Sequence, residues 1–156
     1  MSKSLKRVKA ALQAAGLEAN PLEMAEGTRT AQDAAAAAGC TLDQICKSII
    51  FRGHESGDCI LFLTAGGNRV DAGKAAAMAG EALDRADAAA VRTQTGFAIG
   101  GVAPIGHLHP IRAFWDPRLS DFDVIWAAAG TPHHVFPVSP DDLRPLTQAQ
   151  VADFTS

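Results

Sequence analysis

Lys47 lies in the run Ile45-Cys-Lys-Ser-Ile-Ile-Phe51, whose β-branched and aromatic content suits a strand. In a strand, Ile45, Lys47, Ile49 and Phe51 share a face, so one ammonium sits on an otherwise apolar surface. A charge so placed is costly unless it is paired or reaches water. Two readings stand: a cleft that requires a cation, or a strand-end lysine that reaches solvent along its stem. The second candidate is Gly96-Phe-Ala-Ile-Gly-Gly-Val-Ala-Pro-Ile-Gly106, too rich in glycine for a strand and bent at Pro104. Without Cβ atoms in the way, successive backbone N–H groups of such a loop can turn toward an oxyanion or a phosphate. It follows a helical pattern instead of a strand and lacks the G-x-G-x-x-G spacing and a Gly-Lys-Ser/Thr ending, which excludes dinucleotide and Walker loops. On chemistry alone a structural turn is the simpler reading.

The histidines His107, His109, His133 and His134 are the third candidate. His107-x-His109 could set two imidazoles on one side of a strand, but no carboxylate or thiolate stands at a supporting spacing and H-E-x-x-H is missing. No metal and no cofactor is therefore expected. No G-x-S-x-G elbow occurs, and no Ser/His/Asp set stands out. Lys3, Lys6, Arg7 and Lys9 could touch phosphates, though a solvated helix face is their ordinary use. Cys40, Cys46 and Cys59 are odd in number and lack C-x-x-C spacing, which fits reduced thiols; Cys46 and Cys59 read as buried.

The elements that must carry these groups are marked by periodicity and caps. Leu5, Val8, Leu12 and Ala15 repeat at helical spacing up to Gly16. Thr30, Asp71 and Asp87 each open a helix that Gly39, Gly80 and Gly96 close. Thr41-x-x-Gln44 caps a short turn, and Ser139-Pro-Asp-Asp142 starts a further helix. Strands are expected at 45–51, 59–64, 111–115, 122–127 and 134–138, with a hairpin connection at 54–58 and a last short helix opened by Thr147-x-x-Gln150. Strands grouped in hairpins among helices predict an α+β fold with a mixed, mainly antiparallel, barrel-like sheet surrounded by helices. The length of 156 residues predicts one domain over 1–156. A net charge of −3 does not suit a general nucleic-acid binder, so no DNA partner is expected and any RNA contact must be local. No apolar run approaches a membrane span or a signal peptide, which predicts a cytoplasmic protein without a membrane partner.

Five blocks in register resemble the YbaK/ProX family, which includes freestanding aminoacyl-tRNA deacylases and the editing domain inserted in many bacterial prolyl-tRNA synthetases. They are Thr30-Ala31, Gln44-x-x-Lys47-Ser-Ile-Ile-Phe51, Arg69-Val-Asp71-x-x-Lys74, Thr95 through Gly106, and Pro140-Asp-Asp-Leu143. The resemblance runs from about Thr28 to Leu143. It implies a barrel-like mixed sheet and trans-editing, the hydrolysis of a mischarged small amino acid from the 3′ acceptor end of tRNA, in particular tRNA for proline. Aminoacyl-tRNA is then the partner, with prolyl-tRNA synthetase as a second candidate. It implies Lys47, Gly100 and Gly101 as catalytic, with Ser48, Val102, Ala103, Pro104 and His133 binding substrate, and neither a protein nucleophile nor a metal. Ser48 and Met24 depart from branches of known preference and leave the amino acid open. A tRNA- or synthetase-binding module without hydrolysis is the rival reading, and a histidine-centred metal hydrolase a third. The loop is expected at a cleft rim, so that Gly101→Ala lowers turnover with little effect on melting.

Overall fold

The computed structural model describes residues 2–18, 20–24 and 30–156. Thr28, where the resemblance begins, lies outside them. Helix α1 (Lys3–Ala14) starts where Ser2 Oγ accepts from the Leu5 N–H and buries the Leu5, Val8 and Leu12 stripe. Helices α2 (Ala31–Ala38), α3 (Ala72–Ala79) and α4 (Ala88–Thr95) repeat one construction. Thr30, Asp71 and Asp87 accept from the amide three residues on, while Gly39, Gly80 and Gly96 take the left-handed conformation that stops each helix. Helix α5 (Pro140–Thr147) begins at Ser139 without a hydroxyl cap; the Ser139 carbonyl accepts from Asp142 and Leu143 instead.

The strands are β1 (Leu22–Glu23), β2 (Ile45–Gly53), β3 (Cys59–Ala65), β4 (Leu83–Arg85), β5 (Arg112–Trp115), β6 (Ile125–Ala128), β7 (His134–Val138) and β8 (Gln150–Val151). They form one mixed sheet in the order β1-β7-β6-β2-β3-β5-β8, with β4 also on β2. The pairs β1–β7, β2–β3, β2–β4 and β6–β7 are antiparallel, whereas β2–β6, β3–β5 and β5–β8 are parallel. This is the mixed α+β architecture expected from the sequence. Two local expectations fail. The segment after Thr147 is a strand and not a helix: Gln148 turns left-handed at φ 54°, Thr147 Oγ1 accepts from the Ala149 N–H, and Gln150 and Val151 pair with β5. Phe122 ends a 3-10 turn at Pro117–Asp121, and β6 begins only at Ile125.

Alternation along β2 and β3 divides the core between the two sheet faces. Leu61, Leu63 and Trp115 pack with α1, Phe97 and Phe136 on one face; Ile60, Phe62 and Phe114 pack with α3 and Phe154 on the other. Strand β2 lies mid-sheet but is paired unevenly. Its one edge is covered by β3 from Cys46 to Arg52, while the other meets β6 only at Ile45 and Cys46 and β4 only from Phe51. Among the described residues, 47–50 therefore have no strand partner on that second edge.

Candidate functional site

A cleft of about 270 Å³ opens where β2 and β6 part. Its walls come from β2 (Ile45 to Ile49), the glycine loop (Gly100 and Val102), Trp126 and Ala128 of β6, the Thr131–Val135 segment, Met24, and the start of α2. Of the residues expected at a site, Lys47, Ser48, Gly100 and Val102 line this cleft. Gly101, Ala103, Pro104 and His133 are not among its lining residues.

Lys47 is half-buried, and its Nζ donates to the Asn68 carbonyl at 2.6 Å. Burial lowers its pKa from 10.5, the Arg69 charge lowers it further, and Asp116 and Asp43 oppose them. No ion pair to Lys47 occurs among the described residues, so the ammonium keeps capacity for an anionic or carbonyl ligand. Ser48 Oγ is sealed from solvent and, among the described residues, has no hydrogen-bond partner. Burial, with the Asp116 charge adding, pushes the Cys46 thiol up to about 12, which removes it as a nucleophile near neutrality.

The loop is more deeply set than a cleft rim. Val102, Ala103 and Ile105 are at most 6% exposed, so its second half is core. Arg7 of α1 clamps both ends: its Nε donates to Gly106 O at 2.6 Å and a terminal N–H to Gly96 O at 2.8 Å, with the guanidinium over the Phe97 ring. That is a structural use for a residue whose charge suggested phosphate contact. The Gly101 N–H donates to Ala98 O at 3.0 Å and is thus already committed, whereas among the described residues the amides of Gly100 and Val102 have no protein acceptor. A Cβ on Gly101 would stand 2.6 Å from the Thr131 carbonyl carbon, while Gly100, at φ 90°, faces open space.

The four histidines do not converge. His107 Nε2 donates to Ala103 O at 2.7 Å inside the loop, His109 lines a separate groove with Glu81 and Arg112, and His133 is exposed. Among the described residues no group of three His, Cys, Asp or Glu side chains could hold a metal. His134 is the imidazole at the cleft, its Nδ1 2.6 Å from Thr131 Oγ1. Sequence reasoning left His134 unselected beside His133. Alternation in β7 carries the signal, because His134 shares a face with Phe136 and Val138, the buried side of that strand.

His107 provides a pH test of the loop. Burial holds its imidazole below the ordinary 6.5, partly offset by the bond to Ala103, and Arg7 adds to the lowering. The unfolded chain therefore binds the proton more readily, so stability falls as pH drops through 6.5 toward the folded value. We expect melting temperature to fall from pH 7 to pH 5 and His107→Gln to flatten that slope; equal slopes in the two proteins would count against this role.

Residues 25–146 match the family described as the aminoacyl-tRNA editing domain. The chain is 30% identical over 148 residues to the uncharacterized protein YwhH of Bacillus subtilis (strain 168), covering 95% of this chain and 94% of that protein. Among solved structures, a proposed trans-editing enzyme for prolyl-tRNA synthetase is 44% identical with a TM-score of 0.92, over 100% of this chain and 99% of that one. The hypothetical protein APE2540 is 28% identical with a TM-score of 0.86, over 96% and 99%.

Proposed function

Because the chain belongs to the aminoacyl-tRNA editing domain family, we propose that it is a trans-editing deacylase that hydrolyses the ester joining a small, wrongly attached amino acid to tRNA, with tRNA for proline as the substrate. One observation supports this above others: the Lys47 ammonium shares a cleft with Gly100 and Val102, whose amides have no protein acceptor among the described residues. Ester hydrolysis needs those two resources. Water adds to the ester carbonyl, the carbonyl oxygen becomes negative, and collapse breaks the bond to the terminal ribose, releasing the amino acid and restoring the hydroxyl.

The loop amides are the donors for that oxygen, an effect typically worth about 3–4 kcal/mol per well-placed donor. Gly100 is the place for such a donor, since among the described residues its amide has no protein acceptor and the space where a Cβ would stand is open. The Gly101 amide, turned to Ala98, serves the loop's shape instead. Lys47 holds the substrate through the terminal phosphate or the carbonyl side, and Arg69 stands near enough to strengthen the local positive field. With Cys46 kept protonated, water is the nucleophile and a group of the substrate or tRNA activates it. The cleft is small, and Met24, Ile45, Trp126 and Val135 supply apolar wall, which suits a short side chain. One methylene changes binding in such a pocket by only about 1–3 kcal/mol, the margin that makes editing after aminoacylation necessary.

The direct test is a deacylation panel of tRNA for proline charged with Ala, Cys, Ser, Thr, 2-aminobutyrate or Pro, with and without a chelator. We expect at least one small residue to be released well above the buffer rate, Pro to be spared, and chelation to leave the rate unchanged. Buffer-level hydrolysis across the panel would reject the enzyme in favour of a binding module. Metal-dependent recovery after chelation would reject the mechanism.

A further inference from the structure

Asp116 is the one carboxylate buried among the described residues, at 2% exposure. A buried carboxylate must have its lone pairs met, and three donors meet these. Oδ2 accepts from the Ala65 N–H at 3.0 Å and Asn68 Nδ2 at 2.9 Å, and Oδ1 accepts from the Arg118 N–H at 3.0 Å. The Arg118 guanidinium turns away to Asp43 and Asp121, so no described cation pairs directly with Asp116. A neutral Asn or Ser would cap the following turn equally well, which leaves the buried charge without a purely local reason.

Asn68 supplies one. It lies in the turn between β3 and α3, and three of its polar groups are engaged: the backbone N–H donates to Ala65 O at 2.9 Å, the side-chain NH2 to Asp116, and the backbone carbonyl accepts from Lys47 Nζ at 2.6 Å. Asp43 fixes the same turn by accepting from the Gly67 N–H at 2.8 Å. The charged groups around Lys47 are then Arg69, which repels it, and Asp116 and Asp43, which favour its charged form.

We infer that Asp116 and Asn68 are positioning residues for the hydrolysis proposed above: the buried carboxylate locks the Asn68 side chain, and the Asn68 carbonyl holds the Lys47 ammonium at the cleft. Neither residue is among those lining the cleft; both act through Lys47. The role rests on the deacylase reading, but the geometry can be tested without it.

Two variants separate the links. Asn68→Ala keeps the backbone carbonyl and removes only the tie to Asp116; Asp116→Asn keeps the shape and removes the charge. The chain has five lysines, so the Lys47 side-chain resonances can be followed in lysine-labelled protein and assigned by their loss in Lys47→Arg. In Asn68→Ala we expect kcat/KM on the best substrate of the panel to fall on the order of 10–100-fold, the scale of a misplaced catalytic group, with a shifted Lys47 resonance and an unchanged folded fraction. In Asp116→Asn the Lys47 titration midpoint should move further down, because a favourable negative charge has gone. Should Asp116→Asn not fold, Asn68→Ala decides alone. A Lys47 resonance unmoved in Asn68→Ala overturns the inference, as does a moved resonance with wild-type turnover, or turnover lost only in proportion to folded protein. If the wild type hydrolyses nothing in the panel, the deacylase reading falls while the lysine spectra still judge the geometry.

Discussion

Replacing Lys47 by alanine is expected to lower kcat/KM for ester hydrolysis by a factor on the order of 100 or more, the scale of lost substrate positioning, while the protein stays folded. Among the described residues, Lys47 is the one Lys or Arg side chain lining the cleft, and its ammonium has a single hydrogen-bond acceptor, the Asn68 carbonyl. Stability should change little, since the ammonium is partly desolvated and repelled by Arg69, and its removal relieves both costs. The pH effect has a definite sign. The folded pKa is below the ordinary 10.5, so between those values the unfolded chain holds more protons and stability rises with pH. Lys47→Ala should erase that alkaline rise. Lys47→Arg should not restore activity, because a planar guanidinium cannot take the place of a compact ammonium on the Asn68 carbonyl. Deacylation kinetics and melting curves across pH test both statements. Near-normal turnover by Lys47→Ala would remove the central residue of the mechanism.

The glycine loop should separate into two different effects. Gly100→Ala adds a methyl in open space but at φ 90°, a conformation costing an L-residue about 1–2 kcal/mol. Relaxing that strain turns the amide, so turnover per folded molecule should fall by a factor on the order of 100, as for one lost oxyanion donor. Gly101→Ala meets the backbone of Thr131 and Pro132 at 2.6–2.8 Å. Two loops must then move apart, a core-type overpacking of about 1–3 kcal/mol, or roughly 2–4 °C of melting temperature per kcal/mol for a chain of this size. The expectation that Gly101→Ala spares stability is corrected by this contact. Its activity should fall as well, because the displaced Thr131 segment carries His134 and forms part of the cleft. Turnover and thermal unfolding measured on the same preparations distinguish the cases. Wild-type turnover per folded Gly100→Ala molecule would reduce the loop to a structural turn.

Much of this protein could be read locally, for a physical reason that differs from element to element. The caps at Thr30, Asp71 and Asp87 and the left-handed glycines at Gly39, Gly80 and Gly96 act within four residues of chain, so their chemistry is present in the sequence itself. The long strands β2 and β3 carry enough β-branched and aromatic residues to declare themselves. Strands β1, β4 and β8, of two or three residues, are too short to show a period and exist because a partner edge is offered to them. The Thr147 hydroxyl was legible as a capping group, but whether it would open a helix or close one depended on β5 standing ready to pair with Gln150 and Val151.

The same division runs through the site. Sequence by itself singled out a lysine on an apolar strand face and a loop too rich in glycine for a strand, and its five blocks carried the family resemblance. Only the tertiary structure decided that β6 leaves β2 at Cys46 and so opens a cleft beside Lys47. It likewise chose His134 over His133, tied the Gly101 amide to Ala98, and joined Asp116 to Lys47 through Asn68. Lys47 and Asp116 are far apart in sequence, and their connection runs through a turn whose position is set by sheet pairing and packing. No spacing rule along the chain can express that, because the interaction exists only once the sheet has brought the two segments together.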